Sequence, residues 1–311
     1  MKTRPFTGQS TVSQLGLGTW GLSGDGYGPV SDAVQDEVIS RARAYGITLF
    51  ETADVYGRGE MERRLGRILG ADPAVTIVTK VGTFLDGMPT RKRFDAAYLR
   101  EACERSGERL GRPRLDVVLL HNPAEQTLLN DEATGTLEEL RREGKIGAWG
   151  VSAGSAVVGR AAMGKGAQVL ELAYNAFNRT DLDALSLGQG QVAVLARSVL
   201  AYGLLCGQWS DARVFPVGDH RAERWTVEQL RGRLRQLSAV SSILGGEVLT
   251  PRAAALRFVL SNPLVSSAVI GPRNRVQLDQ LVREAGQGPE YLPASSLRRL
   301  EDQLARVGAA R

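Results

Sequence analysis

The sequence contains little cysteine, histidine or lysine. Only Cys103 and Cys206 are cysteines among 311 residues, and neither lies in a C-x-x-C or other metal-ligand spacing. Two cysteines cannot form a disulfide framework, so we expect two reduced structural thiols and no metal site. Histidine also occurs only twice, and five of the 39 basic residues are lysines. Because the chain uses arginine almost everywhere else, each lysine is a candidate for a position whose function requires lysine specifically.

Long apolar runs are absent as well. No window approaches the roughly 18 consecutive apolar residues that a membrane span needs, and residues 1–10 contain no apolar stretch like that of a signal peptide. Hydrophobic residues make up 43% of the chain and charged residues 23%, which is typical of globular proteins with a large core. We therefore expect a cytoplasmic protein with no membrane partner.

The formal net charge of +5 raises the question of nucleic-acid binding. The basic clusters lie at 91–93, 141–142, 221–235 and 298–299. Each cluster is short, and most contain Glu or Asp at helical spacing, as the solvated faces of helices do. We therefore expect no nucleic-acid partner.

Hydrophobic periodicity predicts the fold. Short apolar runs occur at 49–50, 75–79, 115–120, 146–151, 168–173, 192–196 and 266–270. Between them, amphipathic stretches predict helices at about 32–45, 59–70, 95–110, 131–143, 154–164, 181–188, 250–261 and 274–285. Strands that alternate with helices in about eight units indicate a closed parallel (β/α)₈ barrel, the α/β TIM barrel, as a single domain over residues 1–311. We also expect an N-terminal β-hairpin cap and extra helices near 226–238 and 295–306.

Two glycine motifs do not change this interpretation. Gly16-Leu-Gly18-Thr-Trp-Gly21 fits G-x-G-x-x-G, but the dinucleotide fingerprint must open a helix at once, and here we expect the helix to begin near Ser31. The run from Gly159 to Lys165 resembles a phosphate-binding loop, but Gly166 stands where a Ser or Thr must bind Mg²⁺. Both matches are attributed to chance.

Polar residues follow the apolar runs at one predicted rim. In a barrel of this type the active site lies at the carboxyl ends of the strands. The polar residues at those ends are Glu51, Lys80, His121, Ser152, Glu171 with Asn175, Arg197 with Ser198, and Arg273. Taken singly, His121 fits a hydrogen-bonded core histidine, and Lys80 with Glu51 fits a structural ion pair. Their convergence on one rim favours a functional site.

At these positions the sequence resembles the aldo-keto reductase family. The matching segments are Glu51-Thr-Ala-Asp-Val-Tyr56-Gly57, Lys80 after Ile77-Val-Thr79, Asp116-Val-Val-Leu-Leu-His121-Asn-Pro123, Gly144-Lys-Ile-Gly-Ala-Trp-Gly-Val-Ser152, Tyr174-Asn175, the run from Ala196 to Gly207, and Phe215-Pro-Val-Gly-Asp-His-Arg221. Together they extend from Gly16 to about residue 285, so the resemblance covers nearly the whole chain.

The resemblance implies hydride transfer between NADPH and a carbonyl or sugar-like substrate. Tyr56 would act as the general acid and base, Lys80 would stabilise its phenolate, and Glu51 would hold Lys80. His121 would orient the substrate carbonyl, and Trp20 would form an aromatic wall beside the substrate. The cofactor-binding residues implied by the family pattern are Gly18, Thr19, Trp20, Ser152, Glu171, Asn175, Arg197, Ser198, Leu200, Leu205, Gly271, Arg273, Asn274 and Gln277. Among them, Arg273 with Asn274 would meet the 2′-phosphate, which an arginine fork binds well.

Three residues depart from the family pattern. Glu51 stands in place of its aspartate, Glu171 in place of its nicotinamide-binding glutamine, and Leu281 in place of an asparagine that contacts adenine. Two other functions stay open from the sequence: a nicotinamide-binding regulatory or redox-sensing subunit with little turnover, and a barrel isomerase or lyase without cofactor. The sequence specifies neither the substrate nor the oligomeric state.

Overall fold

The protein forms a closed barrel of eight parallel strands surrounded by helices, as seen in a computed structural model that describes residues 1–84 and 91–308. The strands are β1 (Thr3–Pro5), β2 (Thr11–Ser13), β3 (Leu15–Gly18), β4 (Leu49–Glu51), β5 (Thr76–Val81), β6 (Thr83–Phe84), β7 (Arg91–Lys92), β8 (Leu115–His121), β9 (Ile146–Ser152), β10 (Val169–Ala173), β11 (Ala193–Arg197) and β12 (Val265–Ile270). Around the barrel the strands follow the order β3-β4-β5-β8-β9-β10-β11-β12, which is the order of the chain. The predicted (β/α)₈ barrel is confirmed.

Helices connect the barrel strands and cover their outer faces. They are α1 (Trp20–Ser23), α2 (Asp32–Ala44), α3 (Glu60–Leu69), α4 (Ala96–Leu110), α5 (Glu125–Leu129), α6 (Asp131–Arg142), α7 (Ala156–Gly164), α8 (Thr180–Ala184), α9 (Val227–Ser241), α10 (Pro251–Ser261), α11 (Arg275–Glu284) and α12 (Ala294–Arg306). Short 3₁₀ helices occupy Tyr56–Gly59 and Ala201–Cys206. Among the described residues, no helix combines the length and the apolar character that crossing a membrane would require.

The alternation of side chains along each strand divides the core into two parts. One set of buried residues packs inside the barrel and includes Leu49, Val78 and Leu119. The larger set, which includes Phe50 and Ile77, packs between the strands and the helices. Both faces of the strands are therefore buried, as is usual for a parallel sheet.

The N-terminal hairpin closes the amino-terminal end of the barrel, as expected. Strands β1 and β2 pair antiparallel, and Phe6 and Val12 belong to the cluster inside the barrel. This hairpin does not cover the opposite end of the barrel, where the strands end. That end is therefore accessible to a ligand.

Both extra helices predicted from the sequence are present, as α9 and α12. The capping box of Thr226 and Gln229 fixes the start of α9, because each side chain satisfies a backbone N–H that the helix leaves free. The helix expected at 181–188 is shorter: α8 ends at Ala184, and Ser186 has a φ of 51°. The short α1 and α5 and the β6–β7 hairpin were not predicted, since segments of two to five residues carry almost no periodicity.

Neither rejected glycine motif forms a phosphate-binding turn. Gly16 and Gly18 lie within β3, and after the four-residue α1 the first long helix begins at Asp32. The segment from Gly159 to Gly164 is part of α7, as the sequence indicated.

Candidate active site

The alternation inside the barrel carries polar side chains to the carboxyl ends of the strands. Glu51 follows Leu49 by two residues, Lys80 follows Val78 and Glu171 follows Val169, and all three preceding residues point into the barrel. Side chains two apart on a strand share a face. His121, Ser152 and Arg197 occupy equivalent places on β8, β9 and β11. These six side chains line one cleft of about 950 Å³ at this end of the barrel.

Lys80 is the centre of the polar cluster at the base of the cleft. Its side chain is 2% exposed and makes an ion pair with Glu51. Lys80 Nζ donates hydrogen bonds to the Thr52 carbonyl at 3.0 Å and to the Tyr56 hydroxyl oxygen at 3.2 Å. A second carboxylate, Glu171 Oε2, lies 3.8 Å from Lys80 Nζ. The ammonium thus links the tyrosine hydroxyl to two buried carboxylates.

The glutamate at position 51 reaches Lys80 because Gly18 leaves room for it. A Cβ at Gly18 would lie 2.8 Å from Glu51 Oε2 and 2.8 Å from Val269 Cγ1. The longer side chain therefore fits beside the glycine backbone of β3 and still forms the ion pair.

The surroundings keep a proton on the Tyr56 hydroxyl in the resting site. Burial raises the pKa of Tyr56, and the nearby Glu171 carboxylate raises it further, while Arg197 acts in the opposite direction. Burial lowers the pKa of Lys80, and Glu171 opposes this shift. The ion pair with Glu51 also favours the ammonium. Because Lys80 donates to the phenol oxygen, the hydroxyl hydrogen of Tyr56 is free to be donated into the cleft.

His121 lies beside Tyr56 and is neutral near pH 7. The two ring centroids are 6.0 Å apart, with the planes at 84°. Burial lowers the pKa of His121 well below its usual range, and the charges of Lys80 and Lys92 lower it further. Its buried Nδ1 has no hydrogen-bond partner among the described residues. Lys92, on β7, also contacts the backbone of His121, because its Nζ donates a hydrogen bond to the His121 carbonyl at 2.6 Å.

Most residues expected to bind the cofactor line the same cleft. They are Gly18, Trp20, Ser152, Glu171, Arg197, Ser198, Leu200, Gly271, Arg273 and Gln277. Buried Leu281, on α11, also lines the cleft. The backbone that follows β11 turns tightly here, because Ser198, Ala201 and Tyr202 all adopt positive φ values. Such strained backbone is uncommon outside functional sites.

Four expected cofactor residues do not belong to the described lining of the cleft. Thr19 and Leu205 are fully buried. The Asn175 side chain donates to the Ser198 carbonyl at 2.9 Å and accepts from the Phe177 N–H, so it shapes the turn after β11. Asn274 caps α11 by accepting from the Gln277 N–H at 2.9 Å. These residues contribute to the form of the loops that line the cleft.

Arg273 is tied to α1 and to the loop that follows it. Its Nε donates to the Gly21 carbonyl at 3.1 Å, and its Nη2 donates to the carbonyls of Gly28 at 2.7 Å and Pro29 at 3.2 Å. No pattern in the sequence predicts this bracing role, because the partners are about 250 residues apart in the chain. No partner in the described chain takes a hydrogen bond from Nη1, which leaves one nitrogen of the fork for a ligand.

A group of aromatic and arginine side chains over the cleft was not foreseen as a unit. It comprises Trp20, Tyr27, Tyr202, Trp209, His220, Arg221 and Arg224. The loop after α1 and the segment 201–225 meet here. The backbone N–H of His220 donates a hydrogen bond to the Gly26 carbonyl at 2.9 Å. Asp219 fixes Arg221 through several hydrogen bonds. The available signal was that Trp209 and Trp225, two of the four tryptophans in the chain, both lie in 201–225.

Comparison with known proteins agrees with this geometry. The model of the aldo/keto reductase family matches residues 14–287. The NADP(+) aldo-keto reductase yakc of Schizosaccharomyces pombe is 26% identical over 270 residues, covering 82% of this chain and 78% of its own. A putative voltage-gated potassium channel subunit beta of the same organism is 27% identical over 320 residues, covering 89% and 86%.

Among solved structures, the glycerol dehydrogenase AKR11B4 from Gluconobacter oxydans superimposes with a TM-score of 0.83 at 26% identity, covering 99% of this chain and 97% of its own. The family match, the barrel and the polar cluster at its carboxyl end all agree, and the chain belongs to the aldo-keto reductase family of oxidoreductases.

Proposed function

We propose that this protein transfers hydride between NADPH and a carbonyl or sugar-like alcohol, with Tyr56 as the general acid and base. The observation that carries the proposal is the hydrogen bond from Lys80 to the Tyr56 hydroxyl, at the base of a cleft large enough for a dinucleotide and a small substrate. A free tyrosine has a pKa near 10, so an adjacent ammonium is what its phenolate form requires.

In the reducing direction, the Tyr56 hydroxyl gives its proton to the substrate oxygen as hydride reaches the carbonyl carbon. Lys80 then stabilises the phenolate, and a solvent proton restores the hydroxyl. A positioned proton donor of this kind typically contributes ~10²–10⁴-fold. Neutral His121 positions the substrate oxygen as a hydrogen-bonding group, and Glu51 holds Lys80 at its place. Trp20 forms the aromatic wall beside the substrate.

The residues that line the cleft fit a phosphorylated dinucleotide. Its nicotinamide supplies the hydride. Arg197 offers a guanidinium whose Nε has no hydrogen-bond partner in the described part of the chain, and the turn at Ser198 and Leu200 presents backbone to the cleft. Arg273 and Gln277, with Asn274 behind them, would meet the adenosine end and its 2′-phosphate. Ser152 and Glu171 would frame the nicotinamide, and Gly18, Thr19, Asn175, Leu205 and Gly271 would shape its surroundings.

A substrate panel tests this function. Purified protein is mixed with NADPH and with aldehydes, ketones and sugars, and NADPH oxidation is followed at 340 nm. Turnover is expected with some of these carbonyls, and Tyr56→Phe is expected to lower kcat by at least ~100-fold while NADPH binding is retained. If Tyr56→Phe turns over at the wild-type rate, Tyr56 is not the proton donor and the proposed mechanism is wrong.

The second candidate is a nicotinamide-binding regulatory subunit with little turnover. It is favoured by one observation, the similarity to the putative potassium channel subunit beta over most of both chains. This alternative predicts tight NADPH binding without oxidation by any carbonyl in the panel. Detectable turnover that depends on Tyr56 would exclude it.

A further inference from the structure

Glu171 carries a buried carboxylate oxygen that no group in the described residues satisfies. Its side chain is 1% exposed, and Oε2 has no hydrogen-bond partner. The residue lies near the carboxyl end of β10 and lines the cleft. Burying a carboxylate oxygen that accepts no hydrogen bond is costly, and such atoms in folded proteins are commonly satisfied by a ligand or an ion.

Lys80 does not account for this carboxylate. The ammonium already forms the ion pair with Glu51 and donates to Thr52 and Tyr56. Glu171 Oε2 is 3.8 Å away from it, beyond hydrogen-bond distance. Glu171 thus lies within ion-pair distance of the lysine but receives no hydrogen bond from it, and its free oxygen adjoins the reaction site.

The position of Glu171 relative to Tyr56 defines which ligand group it would meet. Glu171 Oε2 and the Tyr56 hydroxyl both lie within 4 Å of the same Lys80 nitrogen. A hydride donor must approach within ~3.5 Å of the carbon whose oxygen Tyr56 protonates. Because Glu171 and Tyr56 also line the same cleft, a ring that donates hydride here lies within electrostatic range of Glu171.

A carboxylate selects between the two redox forms of such a ring. It only accepts hydrogen bonds, and it interacts favourably with positive charge. The oxidised nicotinamide ring is a cation and the reduced ring is neutral, while both carry a carboxamide N–H₂ that a carboxylate can accept from. A glutamine at this position would bind the carboxamide but would not distinguish the two charges.

We propose that Glu171 makes the site bind NADP⁺ more tightly, relative to NADPH, than a neutral side chain would. The proposal rests on the proposed function. Because the oxidised form is favoured on the protein, bound NADPH is the stronger hydride donor. In carbonyl reduction the hydride passes to the substrate carbon, the Tyr56 proton passes to its oxygen, and the ring gains the positive charge that Glu171 stabilises. Competition by NADP⁺ then makes the protein responsive to the NADP⁺ to NADPH ratio.

Arg197 increases the effect that loss of the Glu171 charge has on NADP⁺ binding. Its guanidinium lines the same cleft, and its Nε has no partner in the described chain. With Glu171 present, the carboxylates of Glu51 and Glu171 balance the cations of Lys80 and Arg197. In Glu171→Gln one cation is left uncompensated beside the ring, which disfavours NADP⁺ more than NADPH.

The test is a direct comparison of dissociation constants for NADP⁺ and NADPH at pH 7 by isothermal titration calorimetry. For Glu171→Gln the ratio Kd(NADP⁺)/Kd(NADPH) is expected to rise about tenfold above the wild-type ratio. Glu171→Asp keeps the charge, and Asp25→Asn removes an exposed carboxylate from the rim of the cleft; both are expected to change the ratio by less than threefold.

Two results would overturn the proposal: a ratio within twofold of wild type in Glu171→Gln, or an equal rise in Asp25→Asn. If Glu171→Gln does not fold by circular dichroism, Glu171→Met takes its place with the same expectation. Failure of the proposed function is distinct: wild type would then bind neither nucleotide, or would bind NADPH without oxidising it in the presence of any carbonyl of the panel.

Discussion

At the scale of single residues, Glu51 decides whether Lys80 is held in place. The ion pair forms despite the extra methylene relative to aspartate, since Gly18 provides the space. We expect Glu51→Gln to lower kcat by ~10-fold or more, because Lys80 loses its partner, and Glu51→Asp to retain activity with a moved pH optimum. The measurement is a pH–rate profile of the three proteins. Equal profiles for Gln and wild type would remove Glu51 from the mechanism.

Asp54 provides a test of pH-dependent stability. Burial, together with the neighbouring Glu62 carboxylate, raises the pKa of this carboxyl to about 7. The native state therefore binds a proton more tightly than the unfolded state, in which the pKa is about 3.9. The stability that this proton provides is complete below pH ~4 and is lost as the pH rises towards 7.

We therefore expect Asp54→Asn to lose less stability than wild type between pH 4 and pH 8. The free energy of unfolding of the variant, relative to that of wild type, should be higher by about 4 kcal/mol at pH 8 than at pH 4. Urea unfolding at both pH values measures this. A difference that does not change with pH would show that Asp54 does not titrate in this range.

Arg273 both braces a loop and leaves one nitrogen of its guanidinium without a partner in the described chain. We expect Arg273→Ala to weaken NADPH and NADH through the loosened loop at 21–29, and to weaken NADPH by a further ~10-fold through the lost 2′-phosphate contact. Dissociation constants for both nucleotides decide this. Equal losses of affinity for NADPH and NADH would show that Arg273 only braces the loop and does not contact the 2′-phosphate.

At the scale of elements, β9 pairs with β10, and this pairing places Ser152 beside Glu171. Two residues earlier on each strand, Gly150 lies opposite Val169. A Cβ at Gly150 would lie 1.8 Å from the Val169 carbonyl oxygen, so β10 would have to move. We expect Gly150→Ala to destabilise the fold by about 3 kcal/mol and to lower NADPH affinity.

The matched control for this strand contact is Gly154→Ala. A Cβ at Gly154 meets no described atom within 4 Å, so its free energy of unfolding should stay within about 0.5 kcal/mol of wild type. Thermal and urea unfolding of both variants give the comparison. Similar losses in the two variants would show that the β9–β10 contact is not the cause.

At the scale of the whole molecule, the excess positive charge is concentrated where it can attract an anionic ligand. Arginines from several elements and loops line the cleft, namely Arg58, Arg197, Arg213, Arg221, Arg224, Arg252 and Arg273. We expect the KM for NADPH to rise several-fold between 0.05 and 0.5 M NaCl, because salt screens exposed charges, and the KM for NADH to rise less. An unchanged KM for NADPH would mean that these arginines are occupied within the protein.

The sequence by itself determined the barrel and the identity of the polar residues at its rim. Alternation of short apolar runs with amphipathic stretches is a local property of the chain, and in a closed parallel barrel it brings every strand end to one rim. Glu51, Lys80 and His121 could therefore be named together from the sequence, and the resemblance to the family added Tyr56.

Only the tertiary structure decided which side chains meet above and beneath that rim. Three features depend on residues that are far apart in the chain. They are the hydrogen bonds from Arg273 to the segment 21–29, the contact of His220 with Gly26, and the unsatisfied oxygen of Glu171. Loop conformations depend on such contacts between distant residues, and hydrophobic periodicity carries no information about them. The physical reason is that periodicity reports which face of an element is buried, whereas charge balance and loop closure are set by packing in three dimensions.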